Sequence, residues 1–308
     1  MNLPFVSIVV AVRNGKHFVK ACAESLLALN YPKDQYEIFI VDNGSTDGTA
    51  DEIRKYPVKF LSRPRPFGPS APRNLAIGQV RGEWIAITDI DCVADPDWLL
   101  RLMEGWEDPR YGALVGCVKS VETDNPIEQW MAPFYDQENN LKASPFPFAQ
   151  TNNVAYRWKL FIEIGGFDEG MHECQDLEFS ARIFEKTKYQ YKWNPDALIY
   201  HRNRANMKQV CKKFFGRGYG IAKTAKRVPA MRKPPIFLKA LHHVVSACEQ
   251  FAKWIVRLFK KDEKENNAAL QHCFWLIFHV SMFAGLIVGA CDFRNNRPII
   301  PDVRTYRI

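Results

Sequence analysis

Apolar runs rich in β-branched residues alternate with helical patterns through the first 90 residues. The run Val6–Val12 is continuous, as expected for a strand that is covered on both faces, and further strands are predicted at Glu37–Val41, Val58–Leu61 and Trp84–Thr88, the last of them also buried. Between them apolar residues recur at helical spacing, and segments end at Gly, Pro, Asn or Asp. This alternation predicts an α/β fold, a mainly parallel sheet flanked by helices with right-handed crossovers.

The first apolar stretch, Leu3 to Val12, has the length of a signal-peptide core. It has no basic segment before it and no small-residue cleavage site after it, and Arg13-Asn14-Gly15 ends it abruptly. We therefore predict a buried first strand. Further strand patterns at 112–121, 150–156 and 193–200, with a helix over Leu177–Lys186, extend the predicted domain to residues 1–207.

Residues 208–308 form a predicted helical extension of a different kind. Apolar residues lie near helical spacing from Ile236 to Lys261, and residues 266–291 are 26 consecutive uncharged residues. As a helix that second stretch would be about 39 Å long, which exceeds the roughly 30 Å hydrocarbon core of a bilayer. Two interpretations stay open: a helix in or on a membrane, and a helical hairpin folded onto the domain.

Charge is distributed unevenly over the two regions. The net charge is +8, but residues 208–308 hold 19 Lys or Arg and 6 Asp or Glu (net +13), which leaves −5 for residues 1–207. A basic extension predicts an anionic partner, either nucleic acid or a phospholipid surface; a solvated basic helix pair is the alternative. No nucleic-acid-binding module accompanies the charge, so we predict an anionic membrane surface and no nucleic acid.

The eight cysteines are scattered, and no two form a C-x-x-C pair. They indicate reduced, partly buried thiols of a cytosolic protein. Neither a disulfide framework nor a zinc site is predicted.

Two acids, Asp89 and Asp91, follow the fourth predicted strand directly. Carboxylates two residues apart at an irregular strand end can approach one site, and such oxygen ligands suit Mg²⁺ or Mn²⁺, which in turn binds a diphosphate. Acids at this spacing are common on protein surfaces, so their position after a buried strand carries the prediction. Ligands of parallel α/β sheets gather at the carboxyl ends of the strands.

Asp42 ends the second predicted strand and precedes the turn Asn43-Gly44-Ser45. Its carboxylate can accept hydrogen bonds from a nucleobase N–H or a ribose hydroxyl. An Asx turn or a helix N-cap is the alternative explanation.

Three segments carry a resemblance to a known family: VSIVVAVRNG, EIFIVDNGSTDGT and PRNLAIGQVRGEWIAITDIDC. Together with the later IGGFDE, QDLEFSAR and YHR, they resemble glycosyltransferase family 2, the inverting enzymes of the GT-A fold. The resemblance covers about residues 5–220 in order. It implies transfer of a sugar from a nucleotide diphosphate, a UDP-sugar by default, to an acceptor hydroxyl with Mn²⁺ or Mg²⁺ as cofactor.

The resemblance also implies roles for the donor site. Asp42 would bind the base or ribose, and Asp89 the ribose or sugar, with a share in the metal site. Asp91 would be the main metal ligand. Arg73 and Asn74 would line the nucleotide pocket.

On the acceptor side the resemblance implies that Asp176 is the catalytic base, and His201 would be a further metal ligand. The alternatives are a helix N-cap for Asp176 and a structural role for His201. The family usually has an acid before the base, whereas this chain has Gln175; Glu173 or Glu178 could supply the missing charge.

Arg217 lies in the glycine-bearing stretch 214–220, after Lys212-Lys213. Similar membrane-tethered family members, which build bacterial surface polysaccharides, have a basic, glycine-bearing segment before hydrophobic helices. We predict Arg217 near the donor diphosphate or a lipid-linked acceptor; a surface turn is the alternative.

The leading hypothesis is an inverting glycosyltransferase at the cytoplasmic face of the cell membrane, acting on a saccharide or lipid-linked acceptor. A sugar-nucleotide-forming nucleotidyltransferase is a second class, although the loop after the first strand offers only one glycine, Gly15. A non-catalytic membrane scaffold that binds sugar nucleotides is a third. The intact acids Asp42, Asp89, Asp91 and Asp176 argue against the third class.

Overall fold

The computed structural model describes residues 3–143, 145–232, 234–258, 263–292 and 298–306. The chain divides into two units. The first comprises Met1–Val121, Phe134–Arg202 and Pro298–Ile308, and the second Glu122–Pro133 and Asn203–Arg297.

This division departs from a single boundary at residue 207 in two places. Residues 122–133 group with the second unit, where Trp130 packs edge to face against Phe214 and Trp275. The last residues return to the first unit, where Val303 is fully buried in the core.

The first unit is built on one eight-stranded sheet with the order β3-β2-β1-β4-β7-β6-β8-β5. Its strands are β1 (Val6–Val12), β2 (Tyr36–Asn43), β3 (Lys59–Arg63), β4 (Trp84–Asp89), β5 (Cys92–Ala94), β6 (Tyr111–Ser120), β7 (Asn153–Arg157) and β8 (Gln190–His201). Strands β3, β2, β1 and β4 are parallel, as predicted. The far half is mixed, because β7 runs antiparallel to both β4 and β6.

The helices of the first unit are α1 (Lys16–Leu27), α2 (Thr49–Ile53), α3 (Ser70–Ile77), α4 (Trp98–Leu102), α6 (Gln137–Leu141), α7 (Trp158–Glu163) and α8 (Gln175–Lys186); α5 (Pro126–Met131) belongs to the second unit. Side chains alternate across the sheet, so in β1 Ile8 and Val10 contribute to one core and Val9 contributes to the other. The first core includes α1 and α4; the second includes α3, α7 and α8. Burial on both faces explains the apolar composition of the inner strands β1, β2 and β4.

The second unit consists of α5, α9 (Met207–Arg227), α10 (Ile236–Leu258) and α11 (Glu263–Cys291). The polar composition of residues 261–267 predicts a turn; 261 and 262 lie outside the described residues, and 263–267 begin α11. Small residues let α9 and α11 approach closely, since a Cβ added at Gly218 would clash with the Met282 carbonyl oxygen.

Candidate active site

The acids predicted from the sequence lie at one edge of the sheet. In the register of the parallel strands Asp42 pairs with Val12, and Asp89 pairs with Ala11, so the two acids flank the end of β1. Two strand spacings separate them, about 10 Å. The fold therefore gathers these residues at the carboxyl ends of β2 and β4, where α/β sheets bind ligands.

Two loops close one side of this edge and are joined by hydrogen bonds. The Asn14 main-chain N–H donates to Ser45 Oγ (2.8 Å), and the Thr46 N–H donates to Asn14 Oδ1 (2.9 Å). Asn14 adopts a left-handed conformation with φ 53°, which asparagine tolerates better than most residues. These bonds fix the loop after β1 against the turn after β2.

Asp42 is buried, and both of its carboxylate oxygens accept a long bond (3.3 Å) from the Ser45 N–H. The Asx-type turn given as the alternative is therefore present. Ordinary hydrogen bonds of this kind are nearer about 2.9 Å, so the carboxylate is weakly engaged in the turn.

Arg73 and Asp89 form an ion pair across the site. Arg73 Nη2 lies 2.7 Å from Asp89 Oδ1; the Arg73 side chain is 4% exposed and the Asp89 side chain 33%. Within the part of the chain that the structure describes, Arg73 Nε and Nη1 are buried without a hydrogen-bond partner. Buried donors without partners are uncommon in proteins, and they mark Arg73 as a group with unused hydrogen-bonding capacity.

Asp91, Cys92 and His201 form a compact set of ligand atoms within 4.8 Å of one another. Strand β5 pairs Cys92 with His201, and the His201 ring reaches Asp91, with Nε2 3.6 Å from Oδ1. The His201 ring also packs against the Tyr135 ring at 4.1 Å between centroids. Two of the three predicted metal residues thus meet, whereas Asp89 is paired with Arg73 and lies outside this set.

Two buried thiols, Cys22 and Cys92, lie near the carboxylates of Asp91 and Asp89. Burial, together with the charges of Asp91 and Asp89, raises the pKa of Cys22 and of Cys92, so both thiols are protonated at neutral pH. Asp91 offers a carboxylate oxygen and His201 an imidazole nitrogen, both of which are ligands of divalent metal ions, so the residues present fit a divalent cation.

The predicted role of Asn74 at the nucleotide stays a prediction, and its side chain is engaged within the fold. Asn74 is fully buried. Its Nδ2 donates to the Phe167 carbonyl (2.9 Å) and to Glu169 Oε1 (3.0 Å), and its Oδ1 accepts from the Phe167 N–H (2.9 Å). Asn74, on α3, therefore supports the loop after α7 through its bonds to Phe167 and Glu169.

Asp176 is the second residue of α8 and is half-buried. The helix begins at Gln175, with Cys174 at the N-cap position in a left-handed conformation, so Asp176 is in the first turn and is not the N-cap. Its Oδ1 accepts from the Leu177 N–H at 2.8 Å. Negative charge is favoured in the first turn of a helix, so this position suits a carboxylate.

The missing acid before Asp176 is not supplied by Glu178. That carboxylate is buried in a two-bond ion pair with Arg182, at 2.8 and 2.9 Å. Arg182 also donates to the carbonyls of Ile164 and Gly166, so Glu178 and Arg182 tie α8 to the loop after α7. Gln175 is itself buried.

Arg217 lies on α9 in the second unit, within the helix rather than in a surface turn. The stretch 214–220 is helical throughout, and within it Gly218 packs closely against Met282 and Leu286 of α11. The proposed role of Arg217 at a phosphate stays a prediction.

The model of the family described as "Glycosyl transferase family 2" matches residues 7–165, more than half of the chain. The chain belongs to glycosyl transferase family 2. The matched region contains the strand ends that carry Asp42, Asp89 and Asp91. Glycosyltransferase activity follows from this membership, and the enzyme class predicted from the sequence is confirmed.

Curated relatives are glycosyltransferases as well. The chain is 28% identical over 228 residues to "Glycosyltransferase AglE" of Haloferax volcanii, covering 71% of this chain and 73% of that protein. It is 35% identical over 212 residues to "Beta-monoglucosyldiacylglycerol synthase" of a Nostoc species, covering 65% of this chain but 44% of that protein. The chain thus spans less than half of the length of this second relative.

Two solved structures confirm the predicted GT-A fold. "Mannosyltransferase PcManGT from Pyrobaculum calidifontis in complex with GDP-Man and Mn2+" matches with a TM-score of 0.67 at 18% identity, covering 96% of this chain and 89% of that one. "S. aureus TarS 1-349 in complex with UDP" matches with a TM-score of 0.50 at 14% identity, covering 96% of each chain.

Sequence reasoning missed Cys92 and Glu169. Cys92 directly follows Asp91, and only the pairing of β5 with β8 shows that it faces His201. Glu169 ends the segment IGGFDE, which carries part of the family resemblance but gives no partner for the Glu169 carboxylate. Both partners lie about 100 residues or more away in sequence, beyond the reach of local patterns.

Proposed function

We propose that this glycosyltransferase transfers a sugar from a nucleotide diphosphate to an acceptor hydroxyl, with inversion and with a divalent cation. One observation carries the proposal: Asp91 meets His201 at the same sheet edge where Asp42 and the Arg73–Asp89 pair lie. The carboxylate of Asp91 and the imidazole of His201 can bind a cation. Together with the Arg73–Asp89 ion pair and the buried Asp42, they suit a nucleotide diphosphate.

Asp91 and His201 would hold the cation, with Cys92 beside them. A divalent ion there offsets the negative charge that develops on a leaving diphosphate. The imidazole favours Mn²⁺ over Mg²⁺, because Mg²⁺ prefers oxygen ligands alone. The relative solved with GDP-Man and Mn²⁺ supports this choice.

The other residues of the site bind and orient the donor in this proposal. Asp42 accepts hydrogen bonds from the base or ribose, and its weak bond to Ser45 leaves it able to do so. Asp89, held by Arg73, orients the ribose or the sugar. We retain a UDP-sugar as donor from the family resemblance; the relatives were solved with GDP-Man and with UDP.

Asp176 is the proposed base. The acceptor oxygen forms a bond to the anomeric carbon while the bond from that carbon to the diphosphate oxygen breaks. The hydroxyl proton passes to the Asp176 carboxylate, and the electron pair leaves with the diphosphate. Attack opposite to the leaving group gives inversion.

The test compares Asp176→Asn with Asp51→Asn, an exposed acid on α2 that pairs with Arg54. Asp176→Asn should bind UDP and Mn²⁺ as the wild type does, measured by calorimetry, and lose transfer by about 10³-fold. Asp51→Asn should transfer normally. Wild-type transfer rates in Asp176→Asn refute the base assignment.

Two further outcomes separate the alternative classes. Pyrophosphate release from a nucleoside triphosphate and a sugar phosphate would indicate a nucleotidyltransferase. Donor binding without transfer to any saccharide or lipid-linked acceptor would indicate a scaffold. Thermal shifts with UDP and GDP nucleotides, with and without Mn²⁺, select the donor, because a preferred ligand stabilises the folded state.

We also propose that the second unit places the enzyme on the cytoplasmic face of an anionic membrane. Helix α10 carries an exposed apolar stripe at helical spacing: Phe237, Leu241, Val244, Val245, Phe251, Ile255 and Val256. Its polar side chains partly face α11 instead: His243 and His279 meet through their Nδ1 atoms at 2.9 Å, and Gln250 Oε1 lies 2.8 Å from His272 Nδ1.

Polar contacts between helices with apolar side chains outside are the reverse of the arrangement that water favours. In the acyl region of a lipid layer, the apolar stripe of α10 contacts lipid tails while the polar side chains bond to each other between α10 and α11. Helix α11 supports the same environment, since Ala268–Cys291 is long and apolar enough to cross a membrane by length and composition, and a third of its most apolar window is buried in the protein. Lys253 and Arg257 on α10 add attraction to anionic headgroups.

Vesicle binding tests this placement. The double variant Phe237→Ser/Val245→Ser should lose affinity for anionic phospholipid vesicles by about ten-fold, because it removes apolar surface from the lipid-facing stripe. Phe184→Ser, which changes an exposed phenylalanine on α8, is the matched control and should bind normally. Equal binding of wild type to neutral and anionic vesicles, or unchanged binding of the double variant, contradicts the proposal.

A further inference from the structure

The last described residues, 298–306 (the C-terminal segment), pair with the loop Gly165–Met171 in the manner of a short strand. The Gly166 N–H donates to the Pro301 carbonyl (3.0 Å), and the Glu169 N–H donates to the Ile299 carbonyl (2.8 Å). In return the Ile299 N–H donates to Asp168 Oδ1 (2.9 Å). Asp168 is fully buried, so its carboxylate joins the loop to the C-terminal segment inside the protein.

The loop and α3 are shaped to receive this segment. Gly165 has φ +80°, and a Cβ there would clash with Ile300 Cγ2. A Cβ at Gly78, just after α3, would clash with Tyr306 Cβ. These contacts leave no room for a side chain, so both glycines fit the C-terminal segment closely.

Side chains extend the contact toward the site. Tyr306 Oη donates to Glu169 Oε1 (2.7 Å), and the same oxygen accepts from Asn74 Nδ2 (3.0 Å). Burial and the neighbouring Glu169 raise the pKa of Tyr306 to about 12, so its hydroxyl remains a donor at neutral pH. Asn74 follows Arg73 on α3, and Arg73 holds Asp89.

The other end of the loop meets the donor side. A Cβ at Gly68 would lie 3.3 Å from the Met171 carbonyl oxygen, so the two segments are in contact. Asn43, the residue after Asp42, donates to the Gly68 carbonyl at 2.8 Å. Beyond Met171, residues 172–174 lead to the start of α8, which carries Asp176.

We propose that Tyr306 is a positioning residue for sugar transfer: through Glu169 and Asn74 it fixes the Gly165–Met171 loop, and with it the placement of Asp176. This inference rests on the proposed role of Asp176 as the base. The C-terminal segment then belongs to the catalytic unit, although it comes after the second unit in the sequence.

Three variants and one control test it in the full-length enzyme. Tyr306→Phe removes the hydroxyl donor and keeps the ring. Glu169→Gln keeps an oxygen that accepts from Tyr306 and Asn74, so it should restore what Glu169→Ala loses. Arg304→Ala is the matched control, since Arg304 lies on the same turn but pairs with the exposed Asp302.

Positioning predicts that Tyr306→Phe and Glu169→Ala lower kcat about ten-fold, with KM for the nucleotide-sugar within about two-fold of wild type. Glu169→Gln and Arg304→Ala should keep kcat within about two-fold. A structural role alone would lower the melting temperature and leave kcat of the folded enzyme unchanged; that result overturns the proposal, as does a fall in kcat that Glu169→Gln does not restore.

Hydrogen exchange separates this inference from the proposed function. The amides of Gly166 and Glu169 should exchange faster in Tyr306→Phe than in Arg304→Ala, whatever reaction the enzyme performs. Unchanged exchange refutes the link between Tyr306 and the loop. Faster exchange with full transfer by Asp176→Asn refutes the base assignment and leaves the link intact.

Discussion

The ion pair between Glu178 and Arg182 gives a quantitative prediction for Arg182→Met. Both side chains are almost fully buried, 4% and 5% exposed. The substitution removes two bonds to the carboxylate and the bonds to the carbonyls of Ile164, Gly165 and Gly166. Glu178 is left buried without its cation, which costs about 3–5 kcal/mol of unfolding free energy.

For a catalytic unit of this size, that loss corresponds to a melting temperature lower by roughly 10 °C. Thermal unfolding followed by circular dichroism, together with urea titration, measures the loss. Because Arg182 ties α8 to the loop after α7, and α8 carries Asp176, transfer activity should fall before global unfolding as temperature rises.

The matched control is Lys142→Met, which breaks the exposed pair with Glu138 and should cost less than about 1 kcal/mol. The double variant Glu178→Leu/Arg182→Met removes both charges and should be more stable than Arg182→Met alone. The reasoning is refuted if Arg182→Met costs less than about 1 kcal/mol, or if the double variant is the less stable of the two.

Three further predictions follow from packing, charge and burial. Gly285→Ala should destabilise the helices of the second unit by about 2 kcal/mol in a denaturant titration, since a Cβ there would clash with the Phe215 carbonyl oxygen of α9; unchanged stability would contradict this packing. Burial opposes ionisation of Glu37, but hydrogen bonds, first that from Lys59, outweigh it and lower its pKa. The ionised Glu37 therefore stabilises the folded state fully above the pKa of an unfolded glutamate, about 4.3, and this stabilisation is lost as pH falls through the lower pKa of the folded state. In Glu37→Gln the free energy of unfolding should therefore decrease less steeply as pH falls in this acid range. Cys92, whose pKa burial raises, should react with a thiol reagent more slowly than the exposed Cys248, as peptide mass spectrometry will show.

The alternation of apolar strands and helices was sufficient to predict the parallel half of the sheet. Each of its inner strands is buried on both faces, so local composition carries the signal. The antiparallel β7 was not predicted in its orientation, because strand direction depends on a partner far away in sequence. The predicted start of α8 is two residues too late for a different reason: Cys174, in a left-handed conformation at the N-cap position, makes no side-chain capping bond, so the sequence has no capping signal there.

The sequence by itself determined which acids end buried strands, and so the place of Asp42, Asp89 and Asp91 at one sheet edge. Only the tertiary structure decided the partners of the polar side chains: Asp89 with Arg73, Asp91 with His201, and Asn74 with Phe167 and Glu169. Periodicity reports which face of an element is buried, because burial acts on each residue separately. Pairing of charged and polar side chains depends on distances between segments that are remote in sequence, and those distances exist only once the chain has folded.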